Sequence, residues 1–405
     1  MRLRKFVVAL ALTLFATVSY GENWPTWRGP RGDGISQEKD LIQTWPEGGP
    51  KLAWTAKVGE GYSTPIAVDG KLYIFTLKEG KEVLTCLDAA TGKSVWTQSY
   101  GPGRTGGFPG TRATPTLEGN VLYTFGANGM LLAVKAGDGQ EIWRVDVLKE
   151  TGGKNIGWGT SSSPLVLDKD VIVQGSDGGS IAVAVDKETG KIKWLAEKGI
   201  GSYAAPTLIE VEGVKQVIIL GGAKAYALAP ETGKQIWSLL FQTQYNVNAS
   251  TPIYRDHMLF ISSGYNHGSQ MIKVTATSAA KSWPEENKIV MAKFPSSILD
   301  GDVMYANSEG TLKCVSWPEC QLKWESKGFN LGSGGSFVRV DDKLILLGET
   351  GVASLAQATA AGVTPLSQFT AFPKGKEIWT LPLIYSGNLY LKGGDELKCY
   401  TISAK

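Results

Sequence analysis

The chain has 405 residues, with 41 Lys+Arg against 38 Asp+Glu, 42% apolar residues, 50 Gly, 18 Pro and 13 Trp. A charged fraction of only 20%, with no acidic or basic block, excludes a disordered tail, a coiled coil and a nucleic-acid-binding stripe. Length alone suggests two or three domains, but this Gly, Pro and Trp usage fits one large repetitive β domain with a sizeable core.

At the N-terminus, Arg2, Arg4 and Lys5 precede an apolar run from Phe6 to Val18, and Ser19 and Gly21 are the small residues that a signal peptidase reads. Residues 1–21 are therefore expected to be a cleavable export signal, giving a periplasmic or secreted protein. The apolar run of 13 residues is short for a transmembrane helix, which needs roughly 20. No Cys lies near the cleavage site, so no membrane anchor is expected. Cleavage removes three basic residues and no acidic one, so 41 against 38 becomes 38 against 38. Neither nucleic acid nor an anionic membrane is an expected partner of a formally neutral chain.

Residues 22–50 form a lead-in, and from 51 to 405 the sequence repeats. The clearest copies run from Leu84 through Thr91-Gly92-Lys93 to Trp96, from Ala182 through Thr189-Gly190-Lys191 to Trp194, and from Ala225 through Thr232-Gly233-Lys234 to Trp237. Weaker copies end in Trp143, Trp283 and Trp324, and one that has lost its Trp offers Phe369 as a stand-in. With Trp54 at the start, these anchors lie 41 to 51 residues apart, the length of a four-stranded propeller blade. Each period opens on a small or hydroxylic residue before Pro, as in Thr64-Pro65, Thr114-Pro115, Ser163-Pro164, Ala205-Pro206 and Thr251-Pro252. A hairpin follows, then the strand before Thr-Gly-Lys, then the Trp strand, giving four antiparallel strands.

The last period stops after three strands, ending in Leu397-Lys398-Cys399-Tyr400, while Lys51-Leu52-Ala53-Trp54-Thr55 is a Trp strand with no blade before it. Pairing the two closes the ring and removes two sheet edges. The expected fold is all-β, an eight-bladed β-propeller, or seven-bladed if the degenerate stretch from 350 to 370 is not a blade. The repeat Trp residues (Trp54, Trp96, Trp143, Trp194, Trp237, Trp283, Trp324) are read as inter-blade packing, and the turn Gly as a residue free to take positive φ.

The Leu-x-Ala-Leu-Asp-Ala-x-Thr-Gly-Lys-x-x-Trp repeat resembles that of pyrroloquinoline-quinone (PQQ)-type propellers, which include quinoprotein alcohol dehydrogenases and the propeller lipoprotein of the outer-membrane β-barrel assembly machinery. Asn23-Trp24-Pro25-Thr26-Trp27-Arg28-Gly29-Pro30 resembles the lead-in of exported, mostly uncharacterised planctomycete-type proteins of this kind. The resemblance implies the fold firmly and function weakly, because propellers host enzymes, binders and scaffolds alike. Quinone-dependent relatives carry adjacent cysteines under the cofactor and Asp, Asn and Glu ligands for Ca²⁺. This sequence has no Cys-Cys pair, lacks the long insertions of those enzymes and carries few carboxylates in its inter-blade loops. No cofactor is expected, with PQQ and Ca²⁺ as the alternative.

Two histidines, His257 and His267, both in loops, leave no His-built metal centre and no catalytic triad beside a nucleophile elbow. Cys86, Cys314 and Cys399 fall where other blades have Ala133, Ala184 and Ala227, so they read as buried thiols. Cys320 takes a turn-Gly position, and a bridge to Cys314 stays open. The loops before the innermost strands carry aromatic, basic and hydrogen-bonding residues that converge on one mouth of the ring: Tyr62, Arg104, Arg112, Trp158, Ser161, Tyr203 and Asn248. Arg112 is the one charged residue at its repeat position and suits a carboxylate. The expected protein is a monomeric, non-catalytic exported scaffold that binds a protein, peptide or small ligand through this face. The alternatives are a PQQ-dependent oxidoreductase and a component of an envelope assembly complex.

Overall fold

The computed structural model describes residues 21–404; the export signal expected over 1–21 lies, but for Gly21, outside them. Middle strands such as Lys71–Lys78 (β1) and Lys81–Asp88 (β2) are buried over most of their length on both faces, because each blade is sandwiched between two neighbours. Their apolar runs are therefore continuous rather than alternating. The outer Trp strand, Ser94–Pro102 (β3), is mostly solvated, with Trp96 half-buried. The strand after the Pro, Ile66–Val68 in the first blade, is short and lies innermost.

This unit recurs in eight antiparallel sheets, which decides between seven and eight blades. The stretch from 350 to 370 is an ordinary blade, with Val352–Thr359 paired to Gly362–Thr370. The eighth blade is composite: Lys51–Lys57 pairs antiparallel with Glu396–Thr401, Trp54 standing opposite Cys399. The chain thus closes its own ring.

Two sets of contacts bolt the blades together. Around the periphery, indole Nε1 of Trp54, Trp96, Trp143, Trp194 and Trp324 donates to the turn carbonyls of Ala89, Ala136, Lys187, Pro230 and Thr359 in the next blade, at 2.7–3.1 Å. The first four rings also lie on the turn glycines Gly92, Gly139, Gly190 and Gly233, where a Cβ would come within 2.3–2.8 Å of an indole atom. These glycines have φ of 67–73°, so the Gly both turns the chain and makes room for the indole. Trp237 differs: its Nε1 donates to Gln216 Oε1, and the amide of Gln216 passes the link to the Thr275 and Ala276 carbonyls. Near the axis two of the hydroxyls before a Pro serve as seam acceptors, Thr114 N–H donating to Ser163 Oγ and Leu381 N–H to Thr64 Oγ1, both at 2.9 Å.

The Trp register corrects one expectation. In the seventh blade Leu355 takes the place of Cys86, and its partner is Ser367, so Ser367 and not Phe369 holds the Trp station. The lead-in fills the gap: Trp45 is buried, meets Phe369 edge-on at 5.4 Å and exchanges backbone hydrogen bonds with the Ser367 hydroxyl. Trp283 stands beyond the end of its strand, Ala279–Lys281, and packs beside Trp317 and Cys320 of the sixth blade. All four cysteines are free and buried, so Cys314 and Cys320 are not bridged. Cys320 sits at φ 57°, the conformation that Gly takes in the other turns.

The lead-in crosses the axis. Trp24 pairs with Ala67 of the first blade, Pro25 accepts from Leu117 of the second, and Trp27 Nε1 donates to Thr251 Oγ1 of the fifth. Arg28, fully buried, donates to the carbonyls of Gly32, Asp33 and Ser297, and burial pushes its pKa down to about 10. Ile35–Ser36 then adds a parallel strand to the seventh blade, and Glu38 accepts from the backbone of Ser386 and Gly387 in the eighth. Among the described residues no helix is long and apolar enough to cross a membrane.

Candidate functional site

The residue three before the repeat Pro occupies one station in successive blades and lines the mouth of the ring. Tyr62, Arg112, Ser161, Tyr203 and Ala249 hold it in the first five blades. Strand register extends it: Ile298 opposes Tyr305 as Ile66 opposes Tyr73, and Leu383 opposes Tyr390, which places Phe294 and Trp379 at the same station. Together they wall a cup of about 440 Å³, within the range of small-ligand sites, with Trp27 of the lead-in in its lining. The channel is closed at that end.

Trp379 organises one side of the wall. Its Nε1 donates to Glu349 Oε1 at 2.7 Å, an oxygen that also accepts from Gly334 N–H at 2.8 Å. With its tilt so fixed, the indole stacks on Tyr62 at 4.6 Å and 23°, and meets Phe294 at 4.6 Å and Phe108 at 5.3 Å. Offset and tilted ring pairs of this kind hold their geometry without needing a polar partner. Opposite, the phenol oxygen of Tyr203 accepts from Trp158 N–H at 3.2 Å, and the Tyr203 carbonyl accepts from Ser161 Oγ–H at 2.9 Å.

Arg112 is mostly buried in the wall of the cup. Its guanidinium donates to the Gly110 carbonyl at 2.7 Å and to that of Phe108, and lies over the Tyr62 ring at 5.5 Å. Burial depresses its pKa to about 10, and the next influence is a second cation, Arg104, with no carboxylate among the groups that act on it. Across the cup, Lys293 Nζ lies 4.4 Å from the Tyr265 centroid and 5.0 Å from that of Phe294. Exposed Tyr245 leans on Tyr265 at 5.5 Å and carries the aromatic surface out over the rim. Tyr245, Asn246, Tyr265 and Asn266 all have positive φ, a tight-turn conformation that holds the two tyrosines at the rim.

Of the residues proposed from sequence, Tyr62, Arg112, Trp158, Ser161 and Tyr203 line the cup, and Arg104 and Asn248 do not. Arg104 sits outside the wall and donates to the Gly157 carbonyl at 3.2 Å, bracing the Trp158 loop. Asn248 is fully buried behind the wall, its amide donating to Gly221 O at 2.7 Å, so its side chain serves the blade seam. Sequence reasoning missed Trp27, Lys293, Phe294, Glu349, Glu377 and Trp379. Phe294 was hidden because the Pro of its blade moved to 295, whereas Trp379, three before Pro382, was available from the spacing. Glu349 and Glu377 put two carboxylates on a wall expected to have almost none. Among the described residues no group of three or more His, Cys, Asp or Glu is placed to hold a metal ion.

A family model described as outer membrane protein assembly factor BamB matches residues 79–326. BamB of Shewanella oneidensis is 31% identical over 175 residues, 38% of this chain and 41% of that protein. The quinohemoprotein alcohol dehydrogenase of Comamonas testosteroni is 30% identical over 143 residues, 33% of this chain and 19% of that enzyme. These matches span less than half the length of either relative. The crystal structure of BamB from Moraxella catarrhalis superposes with a TM-score of 0.61 at 15% identity, covering 87% of this chain and all of that one, a likeness of fold. With the repeat, the eight closed blades and a family match over residues 79–326, the chain belongs to the PQQ-like propeller family described as outer membrane protein assembly factor BamB.

Proposed function

We propose that this protein is an exported, non-catalytic component of an envelope assembly complex and that it binds a partner through the face bearing the cup. The observation that carries the reading is the cup itself, walled by one station repeated around the ring, rimmed by aromatic loops and holding a guanidinium on which no carboxylate acts. Two polar groups of the wall are engaged in building it: Ser161 donates to a carbonyl rather than to a base, and Glu349 orients Trp379. Relatives named as outer membrane protein assembly factors support a protein as the partner.

A photoreactive side chain placed at Tyr245 or Trp158, and as a control at Leu322 on the outer strand of the sixth blade, tests it in intact cells. Adducts with a discrete partner are expected from the two mouth positions alone. Adducts from Leu322 only, or from none of the three, would overturn the proposal.

A second reading, oxidation with PQQ and Ca²⁺, is favoured by the similarity to a quinohemoprotein dehydrogenase. The residues of the cup do not fit that group. Glu349 Oε1 already accepts two hydrogen bonds, and Cys86, Cys314, Cys320 and Cys399 are buried singly within blades, away from the wall.

A further inference from the structure

We infer that the cup receives the free C-terminal end of a partner polypeptide, its terminal carboxylate on Arg112 and its last side chain against Tyr62, Phe294 and Trp379. The inference rests on the partner reading above and goes further by naming which part of the partner enters.

The first ground is the closed floor. Trp27 is tied to Thr251 across the ring, and the buried Arg28 that follows is tied to Ser297, so the lead-in is pinned on the far side of the axis as well as at Trp24 and Ala67. A chain can enter this channel but cannot pass through it. A cup of about 440 Å³ is at the small end of ligand sites and suits one terminus better than two strands of a looped segment.

The second ground is charge. A guanidinium has five N–H donors in a fixed fork, and Arg112 directs one nitrogen each to the Gly110 and Phe108 carbonyls. The remaining donors are left for a bidentate acceptor such as a carboxylate. The charged neighbour acting on Arg112 is Arg104; Glu349 is engaged by Trp379 and Gly334, and Glu377, the other wall carboxylate, acts on Tyr62 and is not among the groups that act on Arg112. A chain terminus with an apolar last residue matches both the charge and the ring-lined wall beside it.

The third ground is direction. From Phe294 and Lys293 the aromatic surface continues to Tyr265 and then to exposed Tyr245, out of the mouth on one side. Such a track serves the residues that precede a terminus and would be wasted on a free small acid.

The test uses the whole mature chain and a fluorophore-labelled peptide ending in Phe, prepared as the free acid, as the C-terminal amide and head-to-tail cyclised, with N-acetyl-phenylalanine as a small-acid competitor. The free acid is expected to bind at least about tenfold more tightly than the amide or the ring, and N-acetyl-phenylalanine to compete far more weakly than the peptide acid. Arg112→Gln should erase the acid–amide difference, and Arg112→Lys, which keeps the charge but not the fork, should restore it only in part. Equal binding of acid, amide and ring would overturn the chain-end inference while leaving the partner reading intact. Competition by N-acetyl-phenylalanine as strong as by the peptide would assign the cup to small carboxylates and overturn it too. Absence of binding by every peptide also overturns it, and the crosslinking experiment then decides separately whether the partner reading falls.

Discussion

Trp27 Nε1 reaches across the ring to Thr251 Oγ1 at 3.0 Å, joining residues 224 positions apart and setting the depth of the cup. Removal of the indole leaves a void beneath the ring station. Trp27→Ala is expected to lower stability by about 1–2 kcal/mol, less than a fully buried aromatic costs, because Trp27 is only partly buried. It should also open the channel to a small hydrophobic dye, read as a gain in dye fluorescence over the native protein under non-denaturing conditions.

In the seventh blade the anchoring indole comes from outside the repeat. Trp45→Ala is therefore expected to cost as much as Trp96→Ala, about 3 kcal/mol each, although only Trp96 belongs to a repeat copy. Equilibrium urea unfolding of the two variants measures this. A Trp45 variant as stable as the parent would show that Ser367 needs no partner.

Strand Lys51–Lys57 covers the edge of Glu396–Thr401. Deleting 51–57 should expose that edge, lower the unfolding midpoint and produce concentration-dependent aggregation visible by light scattering.

Two buried titratable groups give stability a pH profile with opposite limbs. Glu82 reaches into the second blade, where it accepts from Ala127 N–H at 2.8 Å, and burial raises its pKa from 4.5 to about 7. Between those values the folded chain holds a proton that the unfolded chain has lost, so stability falls as pH rises from about 4.5 to 7, by about 3 kcal/mol. Lys392 is buried with its ammonium nitrogen against the Gly61 and Gly394 carbonyls, and burial lowers its pKa from 10.5 to about 7. There the unfolded chain holds the extra proton, so stability rises from pH 7 towards 10.5. Glu82→Gln should flatten the lower limb and Lys392→Met the upper one in a series of unfolding curves against pH.

Burial pushes the Cys86 and Cys314 thiols up to about 11 and the Cys320 and Cys399 thiols to about 12, which withholds the reactive thiolate at neutral pH. A thiol reagent should modify none of the four in the folded protein and all four in denaturant. Reductant should leave the thermal midpoint unchanged, since no bridge is there to break.

The sequence by itself determined the repeat, the number of strands per blade, the composite eighth blade and five of the wall residues, because each depends on local periodicity: a Pro that starts a strand, a Gly that must take positive φ, a Trp at a fixed distance beyond it. Tyr62 and Arg112 were legible for the same reason, since their station is counted from the Pro. Tertiary structure alone decided the rest. That Ser367 holds a Trp station depends on a register shift between Leu355 and Ala356, which no spacing in the sequence reveals. That Trp45 fills the gap and that Trp27 floors the channel follow from where a non-repeating segment lies once the ring has closed. Such contacts join residues hundreds of positions apart, and only the closed ring brings them within reach.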